Sequence, residues 1–497
     1  MRILYVDIDS LRADHLGCYG YHRATSPNID RIAAQGVSFE NCYVSDAPCL
    51  PSRTAMFGGR FGIHSGVIGH GGTAADPFVE GAGREFWSTL GHTSWMRRLS
   101  LAGLKTATIS SFGERHSAWH WYANFSEVIN PGKGGGEIAS DVTPLALDWL
   151  ARNGRADNWF LHVNYWDPHN AYRAPMEYGH PFANDPIPAW LTEEVRQRHW
   201  QGCGAWSARD SASWRTPEPP PPSPYPRQPS RLFSMDEVRR VFDGYDTGLR
   251  YADDHLGQLF DALAGLGVLD ETAIVITADH GESLGELNIY SDHHCADHST
   301  ARVPFIVSWP GLDPALAGRR DAALHYQVDL AATLVELAGG SVPGNWDGQG
   351  FAASLRAGEP RGRDYLVLSQ GAHTCQRSVR FDDYLCLRSY HDGFHDFPSV
   401  MLFDLRHDPH EQVNLADERP DVVGRAMTLL DQWHGQMLRT ASHPVDPMRT
   451  VLAEGGPYHA RQPLTPFLEH LRQTGRAAAA GRLAAAHAEQ LARERQP

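Results

Sequence analysis

Two patterns of apolar and polar residues alternate along the chain. Short runs that are apolar on both faces recur at Ile3–Ile8, Leu104–Ile109, Trp159–Tyr165 and Thr272–Thr277. Such runs predict buried strands of the kind found in parallel sheets. Gly36–Val44 reads as a further strand. Between these runs, apolar residues recur at helical spacing. Val142, Leu145, Ala146, Trp149 and Leu150 do so within Ala139–Arg152, and Val238, Val241, Phe242, Tyr245, Leu249 and Leu256 within Met235–Leu266. Trp95–Leu101 and Asp321–Gly339 also read as helices. Strands alternating with helices predict an α/β fold, with helices packed on a mixed, mainly parallel sheet.

Beyond residue 360 the pattern changes. Tyr365–Leu368, Arg377–Phe381, Tyr384–Arg388 and Met401–Leu405 are short strands separated by turn signals. With the helix Ala426–Leu438 they predict a small α+β subdomain built on an antiparallel sheet. The expected division is a main domain over 1–360, this subdomain over 361–445 and a helical tail over 446–497, in which Thr465–Arg495 is rich in Ala and Arg. Residues 184–231 interrupt the main domain. They include Pro217-Glu-Pro-Pro-Pro-Pro222 and show little periodicity, so they read as an extended, polyproline-prone insertion. It would lie over one face as a lid or meet a second subunit in a homo-oligomer. The tail would dock on the body of the chain or on another subunit.

Composition narrows the partners. The net charge of −15 argues against nucleic acid or an anionic membrane. An anionic substrate would have to be drawn in by a local cluster of metal and basic groups. The seven cysteines are odd in number and scattered, with no CxxC pair, which reads as reduced thiols in the cytoplasm rather than a disulfide framework. Arg2–Val6 already reads as a core strand, which leaves no room for a secretory leader, and no run approaches a membrane span.

The candidate chemistry lies at strand ends. Asp9 follows Ile3–Ile8, and Asp279-His280-Gly281-Glu282 follows Thr272–Thr277. Open α/β sheets place ligands at the carboxyl ends of their strands. Two such strands side by side would bring Asp9, Asp279 and His280 to one edge. Oxygen ligands with one imidazole suit Ca²⁺, Mg²⁺ or Mn²⁺. Asp7 shares the face of Asp9 and is a weaker extra ligand; the plainer reading of Asp9 is a cap for the residues that follow. Cys49 stands just before Pro51, where a helix should begin, and Arg53 follows one turn on. A helix N-terminus with an added guanidinium suits a nucleophile that attacks an anionic ester.

The run Cys49-x-Pro51-Ser52-Arg53, closed by Gly59-Arg60, resembles the signature of the type I, formylglycine-dependent sulfatases, members of the alkaline phosphatase superfamily. Arg12–Gly20, Thr25–Ala33, Asp279–Glu282 and Asp404–Asn414 resemble further blocks of that family, in the expected order over about residues 1–440. The resemblance implies an alkaline-phosphatase-like α/β/α sandwich and a sulfuric ester hydrolase. It implies that Cys49 becomes formylglycine, made by a formylglycine-generating enzyme, and that its hydrate attacks a small-molecule sulfate ester. One divalent metal, Ca²⁺ first with Mg²⁺ or Mn²⁺ as alternatives, would be held by Asp9, Asp279, His280 and the modified Cys49. Arg53 would orient the hydrate, and His169, after Pro168, would protonate the leaving group.

The chain departs from the family in three places. Ser10 stands where many relatives have a second acid. Arg115 and His116 replace a Gly-Lys-Trp-His type segment, Arg115 as a substrate contact and His116 as the second proton acceptor. Asp292 stands at the distance where a lysine is expected, so His293 becomes the nearest cationic contact for the sulfate. On that reading substrate binding should weaken as pH rises through the histidine's pKa. The leading expectation is a sulfatase. A phosphonate monoester or phosphodiester hydrolase on the same scaffold is the alternative, and a non-catalytic relic is a second.

Overall fold

The computed structural model describes residues 1–79, 88–211, 213–215, 223–358 and 361–494. The proline tract Pro217–Pro222 lies outside them. Its strands, in chain order, are β1 (Arg2–Ile8), β2 (Val37–Tyr43), β3 (Asp46–Ala47), β4 (Lys105–Ile109), β5 (Glu127–Ile129), β6 (Trp159–Tyr165), β7 (Thr272–Thr277), β8 (Ser283–Leu284), β9 (Tyr290–Asp292), β10 (Arg302–Ser308), β11 (Arg319–Tyr326), β12 (Tyr365–Gln370), β13 (Cys375–Phe381), β14 (Tyr384–His391) and β15 (Val400–Asp404).

Eight of them form one sheet in the order β11-β2-β10-β7-β1-β6-β4-β5. Only β10 runs against its neighbours. β1, β6 and β7 are buried at every residue, as strands covered on both faces must be, and their sequences are accordingly near-continuous apolar runs. Helices Pro27–Gln35, Ala139–Asn153 and Met235–Leu266 pack together as one group, and Cys49–Gly58, Trp95–Leu101 and Val328–Leu337 as another.

A second sheet has the order β15-β14-β13-β12-β3. The helix Pro420–Thr440 packs on it. Its edge strand β3 comes from the main domain, pairs in parallel with β12, and leads directly into Cys49. One apolar core runs through both sheets. From residue 464 onward the tail forms the short helices Leu464–Gln473, Ala477–Ala486 and Ala488–Glu494, with a small apolar cluster of their own that includes Cys203 and Phe394. It docks on the insertion of the same chain, where fully buried Arg476 pairs with fully buried Asp210 at 2.8 Å.

Two local expectations fail. Asp321–Gly339 is not one helix: its first part belongs to β11, and the helix is Val328–Leu337. Parallel pairing with β2 at the sheet edge overrides the helix propensity of Ala and Leu in Asp-Ala-Ala-Leu. The helix after β3 starts at Cys49 rather than Pro51, which falls at the third helical residue. A proline is tolerated there because the first turn's N–H groups have no helical acceptor. The helix ends at Gly59 with φ +67°, where a Cβ would lie 2.1 Å from the Trp346 ring, so only glycine fits.

Candidate active site

The carboxyl ends of adjacent strands β1 and β7 set Asp9 and Asp279 side by side, both buried. Arg53 rises between them from the helix that begins at Cys49. Its Nε lies 3.0 Å from Asp7 Oδ2, and its Nη1 lies 3.0 Å from Asp9 Oδ2 and 2.7 Å from Asp279 Oδ2. The rings of Phe112 and Trp166 flank the guanidinium, with centroids at 4.8 and 5.6 Å. Arg53 Nη2 is buried and donates to nothing.

His280 completes the group. Its Nδ1 donates to the Gly281 carbonyl at 2.7 Å, which leaves the Nε2 lone pair facing inward. Nε2 lies 3.0 Å from Cys49 Sγ, 3.5 Å from Asp279 Oδ2 and 3.8 Å from Asp9 Oδ1. Gly281 is required here, because a Cβ would meet the Ser299 carbonyl at 2.1 Å. The ligand atoms of Asp9, Cys49, Asp279 and His280 all lie within 4.8 Å of one another.

Electrostatics show what the group lacks. Burial would raise the Asp9 carboxyl, but Arg53, His169 and His280 overcome it and hold it well below the usual carboxylate range. Burial, with Asp9 alongside, pushes Asp279 up to about 7 against the pull of Arg53. One guanidinium therefore does not keep both acids ionised, and a divalent cation among two carboxylates and an aimed imidazole would. The donor set fits such an ion. Asp7 stands outside it, since its Oδ2 is shared by Arg53 and His162. Ser10 donates from Oγ to Asp9 Oδ1 at 3.0 Å and from its N–H to Asp279 Oδ1 at 3.3 Å, which orients both carboxylates.

Above this floor opens a cavity of about 920 Å³ lined by Cys49, Arg115, His116, His169 and His293 among others. His169 Nε2 lies 3.9 Å from Asp9 Oδ1. Burial lowers His169 to about 4 despite Asp9, and burial with Arg115 and Arg53 lowers His116 to about 3. His293 bonds Glu282 through Nδ1 at 3.1 Å, and its ring sits 4.1 Å from that of His280.

The expectation of a cationic His293 meets a physical obstacle. Burial and His280 hold it well below the ordinary histidine value, which favours the neutral ring near pH 7. Asp292, at the position expected for lysine, faces His293 and His294 at 3.5 and 3.2 Å. A permanent positive charge facing the cavity is Arg115, whose guanidinium lies 5.1 Å from the Trp166 ring.

Sequence reasoning missed much of the wall. His373, Trp214, His459 and Phe467 also line the cavity, from the loop before β13, the insertion and the tail. The insertion reaches the cavity through Trp214, and the glycine-rich loop 58–72 through His70. His373 and His459 carry no local pattern that would single them out.

The strand order, with its single antiparallel member, and the second sheet define an alkaline-phosphatase-like fold. A family model described as Sulfatase matches residues 2–341, and one described as N-sulphoglucosamine sulphohydrolase, C-terminal, matches 285–432. The chain belongs to the sulfatase family, and with it to the sulfuric ester hydrolases. It is 25% identical over 453 residues to the sulfatase YidJ of Escherichia coli K12, across 84% of this chain and 83% of that protein. A solved structure in complex with its substrate, D-glucosamine-2-N,6-O-disulfate, superposes with a TM-score of 0.68 at 20% identity over 88% of this chain and 98% of the other. The phosphonate monoester hydrolase of Agrobacterium radiobacter superposes with a TM-score of 0.65 at 20% identity over 88% of this chain and 96% of the other. Among the described residues no helix is long and apolar enough to cross a membrane.

Proposed function

We propose that the protein cleaves a small-molecule sulfate ester to an alcohol and inorganic sulfate, and that Cys49 works as formylglycine. The observation that carries this reading is the place of Cys49: first residue of a helix, at the cavity floor, 3.0 Å from His280 and one turn before Arg53. As a thiol it is a poor nucleophile, because burial, Asp9 and Asp279 all hold its proton on. A formylglycine-generating enzyme in the host would convert it, and the aldehyde hydrate supplies an oxygen nucleophile.

Asp9, Asp279, His280 and residue 49 would hold one divalent metal, Ca²⁺ by preference with Mg²⁺ or Mn²⁺ as alternatives, which neutralises charge on the sulfuryl oxygens. Arg53 keeps the carboxylates in register and offers its unengaged Nη2 to an oxygen at the reacting centre. Arg115 meets the outer sulfuryl oxygens from the cavity side. His293, neutral and held by Glu282, orients the ester rather than balancing its charge. His169 is nearest the leaving oxygen; the anionic substrate raises its proton affinity, and it gives that proton to the alkoxide. His116 accepts a proton when the site is restored. The seven unpaired thiols support a cytoplasmic location.

A second reading, hydrolysis of phosphonate monoesters or phosphodiesters, is favoured by Asp292 in place of the expected lysine. One experiment addresses both. Purified protein is analysed by peptide mass for conversion at Cys49 and assayed on matched aryl sulfate, phosphodiester and phosphonate esters. The expected outcome is a converted Cys49 and the highest kcat/KM on sulfate. Full sulfatase activity in Cys49→Ala would overturn the first reading, and a higher kcat/KM on phosphonate would establish the second.

A further inference from the structure

The cavity wall holds a second cluster of metal-binding groups that the reaction does not use. His70, His373 and His459 come from three segments far apart in the chain: the glycine-rich loop, the loop before β13, and the tail. His70 Nδ1 and His459 Nε2 lie 3.1 Å apart and share a hydrogen bond, whose proton a bound ion would replace. The His373 ring stacks on that of His459 with centroids 4.1 Å apart, so one of the two must turn about its side-chain bonds to aim a nitrogen at a shared ion. One ring nitrogen from each of the three lies within 4.8 Å of the others, and no acid belongs to this group. The other nitrogen of His70, Nε2, is buried without a hydrogen-bond partner.

The backbone holds these segments together. The His459 N–H donates to the Ala372 carbonyl at 3.0 Å, next to His373. The Tyr458 ring packs so closely on Gly71, next to His70, that a Cβ there would lie 2.3 Å from it. The imidazoles are thus brought together by fixed chain, not by the chance of flexible side chains. All three line the cavity that contains Cys49.

We propose that His70, His373 and His459 form a second metal site, for Zn²⁺ or another imidazole-preferring late transition ion, distinct from the site of Asp9, Asp279 and His280. Three nitrogens and no carboxylate suit such an ion and do not suit Ca²⁺ or Mg²⁺. A tetrahedral ion bound by three imidazoles keeps its fourth position for a group from the cavity. The site goes beyond the sulfatase reading and does not depend on it.

The test uses the full chain with Ca²⁺ in excess, so that the oxygen-rich site is occupied. Co²⁺, then Zn²⁺ in competition, is titrated while the visible absorption of tetrahedral Co²⁺ is followed, with calorimetry for stoichiometry. Wild type and Asp279→Ala are expected to take up one tightly held ion. His70→Ala and His459→Gln are expected to weaken it by more than the roughly 10–100-fold that loss of an outer-shell contact costs. Equal affinity in His459→Gln, or loss of the ion in Asp279→Ala alone, would overturn the proposal. Anomalous scattering from Zn²⁺-soaked crystals of the wild type decides the matter without any variant: density between the three rings supports the site, and its absence there refutes it. None of these readouts depends on turnover.

Discussion

At the floor of the cavity, Asp9, Asp279 and Arg53 stand on strand ends and a helix; at its wall, His70, His373 and His459 stand on loops and the tail. The floor groups are buried, and a single guanidinium faces both carboxylates, holding Asp9 ionised while Asp279 is pushed up to about 7. The wall groups escape the cost of burial in another way, by giving up charge. His70 and His373 are partly buried, and that burial with the neighbouring imidazoles pushes them well below the ordinary histidine value, while His459 keeps an exposed face. A buried ion is tolerated when its partner is fixed, and a buried imidazole is tolerated when it is neutral. The floor should therefore respond most to loss of a charge partner, and the wall to pH and salt.

The largest effect should come from Arg53→Ala. It removes the partner of three buried carboxylates at once, Asp7, Asp9 and Asp279. Breaking a buried pair from one side costs about 3–5 kcal/mol, because the remaining charges stay buried without compensation. Thermal unfolding of chelator-treated protein should show a clear drop in Tm, and sulfate-ester turnover should fall below detection or nearly so. A variant with wild-type Tm would mean that the carboxylates are not charged in the fold.

The pH dependence of stability tests the comparison directly. An imidazole with a folded pKa below its unfolded value of about 6.5 takes up a proton on unfolding in the range between them. Its contribution is complete above about 6.5 and is lost as pH falls toward the folded value. His116 is lowered to about 3, so against His116→Gln the wild type should lose about 1.4 kcal/mol per pH unit from about pH 6.5 downward. Asp9 is shifted the other way in consequence. Its carboxyl is held low, so its own contribution persists until pH falls below about 3.9; Asp9→Asn also removes the charge that helps to raise Asp279 to about 7, so the gap between wild type and Asp9→Asn should widen as pH falls from 7.5 to 5 and wild-type Asp279 takes up its proton. Melting curves of metal-free protein across that range measure both. A flat His116→Gln difference would show that the wall histidine is charged or solvated.

The same contrast explains what could be read from the chain alone. β1 and β7 are legible because a strand buried on both faces must be apolar throughout, which makes Asp9 and Asp279 conspicuous where each run stops. Met235–Leu266 is legible because one long helix repeats its apolar face over many turns. β11 is not, because an edge strand packed on one side carries Arg319, Arg320 and Asp321 on a background that also suits a helix. The wall is illegible for a different reason. His70, His373 and His459 belong to loops whose local sequence needs only to turn, and their meeting depends on how the tail docks against Asp210 through Arg476. The neutral state of His293 was equally out of reach, since its cause is burial against His280, a contact made by the fold.

The smallest effect should come from Arg215 at the cavity mouth. Its guanidinium lies 4.7 Å from the Trp214 ring, and the residue is exposed to solvent. The chain as a whole carries a net charge of −15, which repels an anionic ester before it reaches Arg115. A cation at the entrance offsets that repulsion for the encounter only, because an exposed charge does little once water screens it. Arg215→Gln should therefore lower kcat/KM by about two- to fivefold at low ionic strength and leave kcat unchanged, a modest case of electrostatic steering. The deficit should vanish near 1 M salt, where the screening length shrinks to about 3 Å. Arg53→Ala should show no such recovery, since salt does not reach a buried pair. A kcat that falls in Arg215→Gln, or a deficit that salt leaves intact, would place Arg215 in contact with the reacting ester and move the boundary between floor and wall outward.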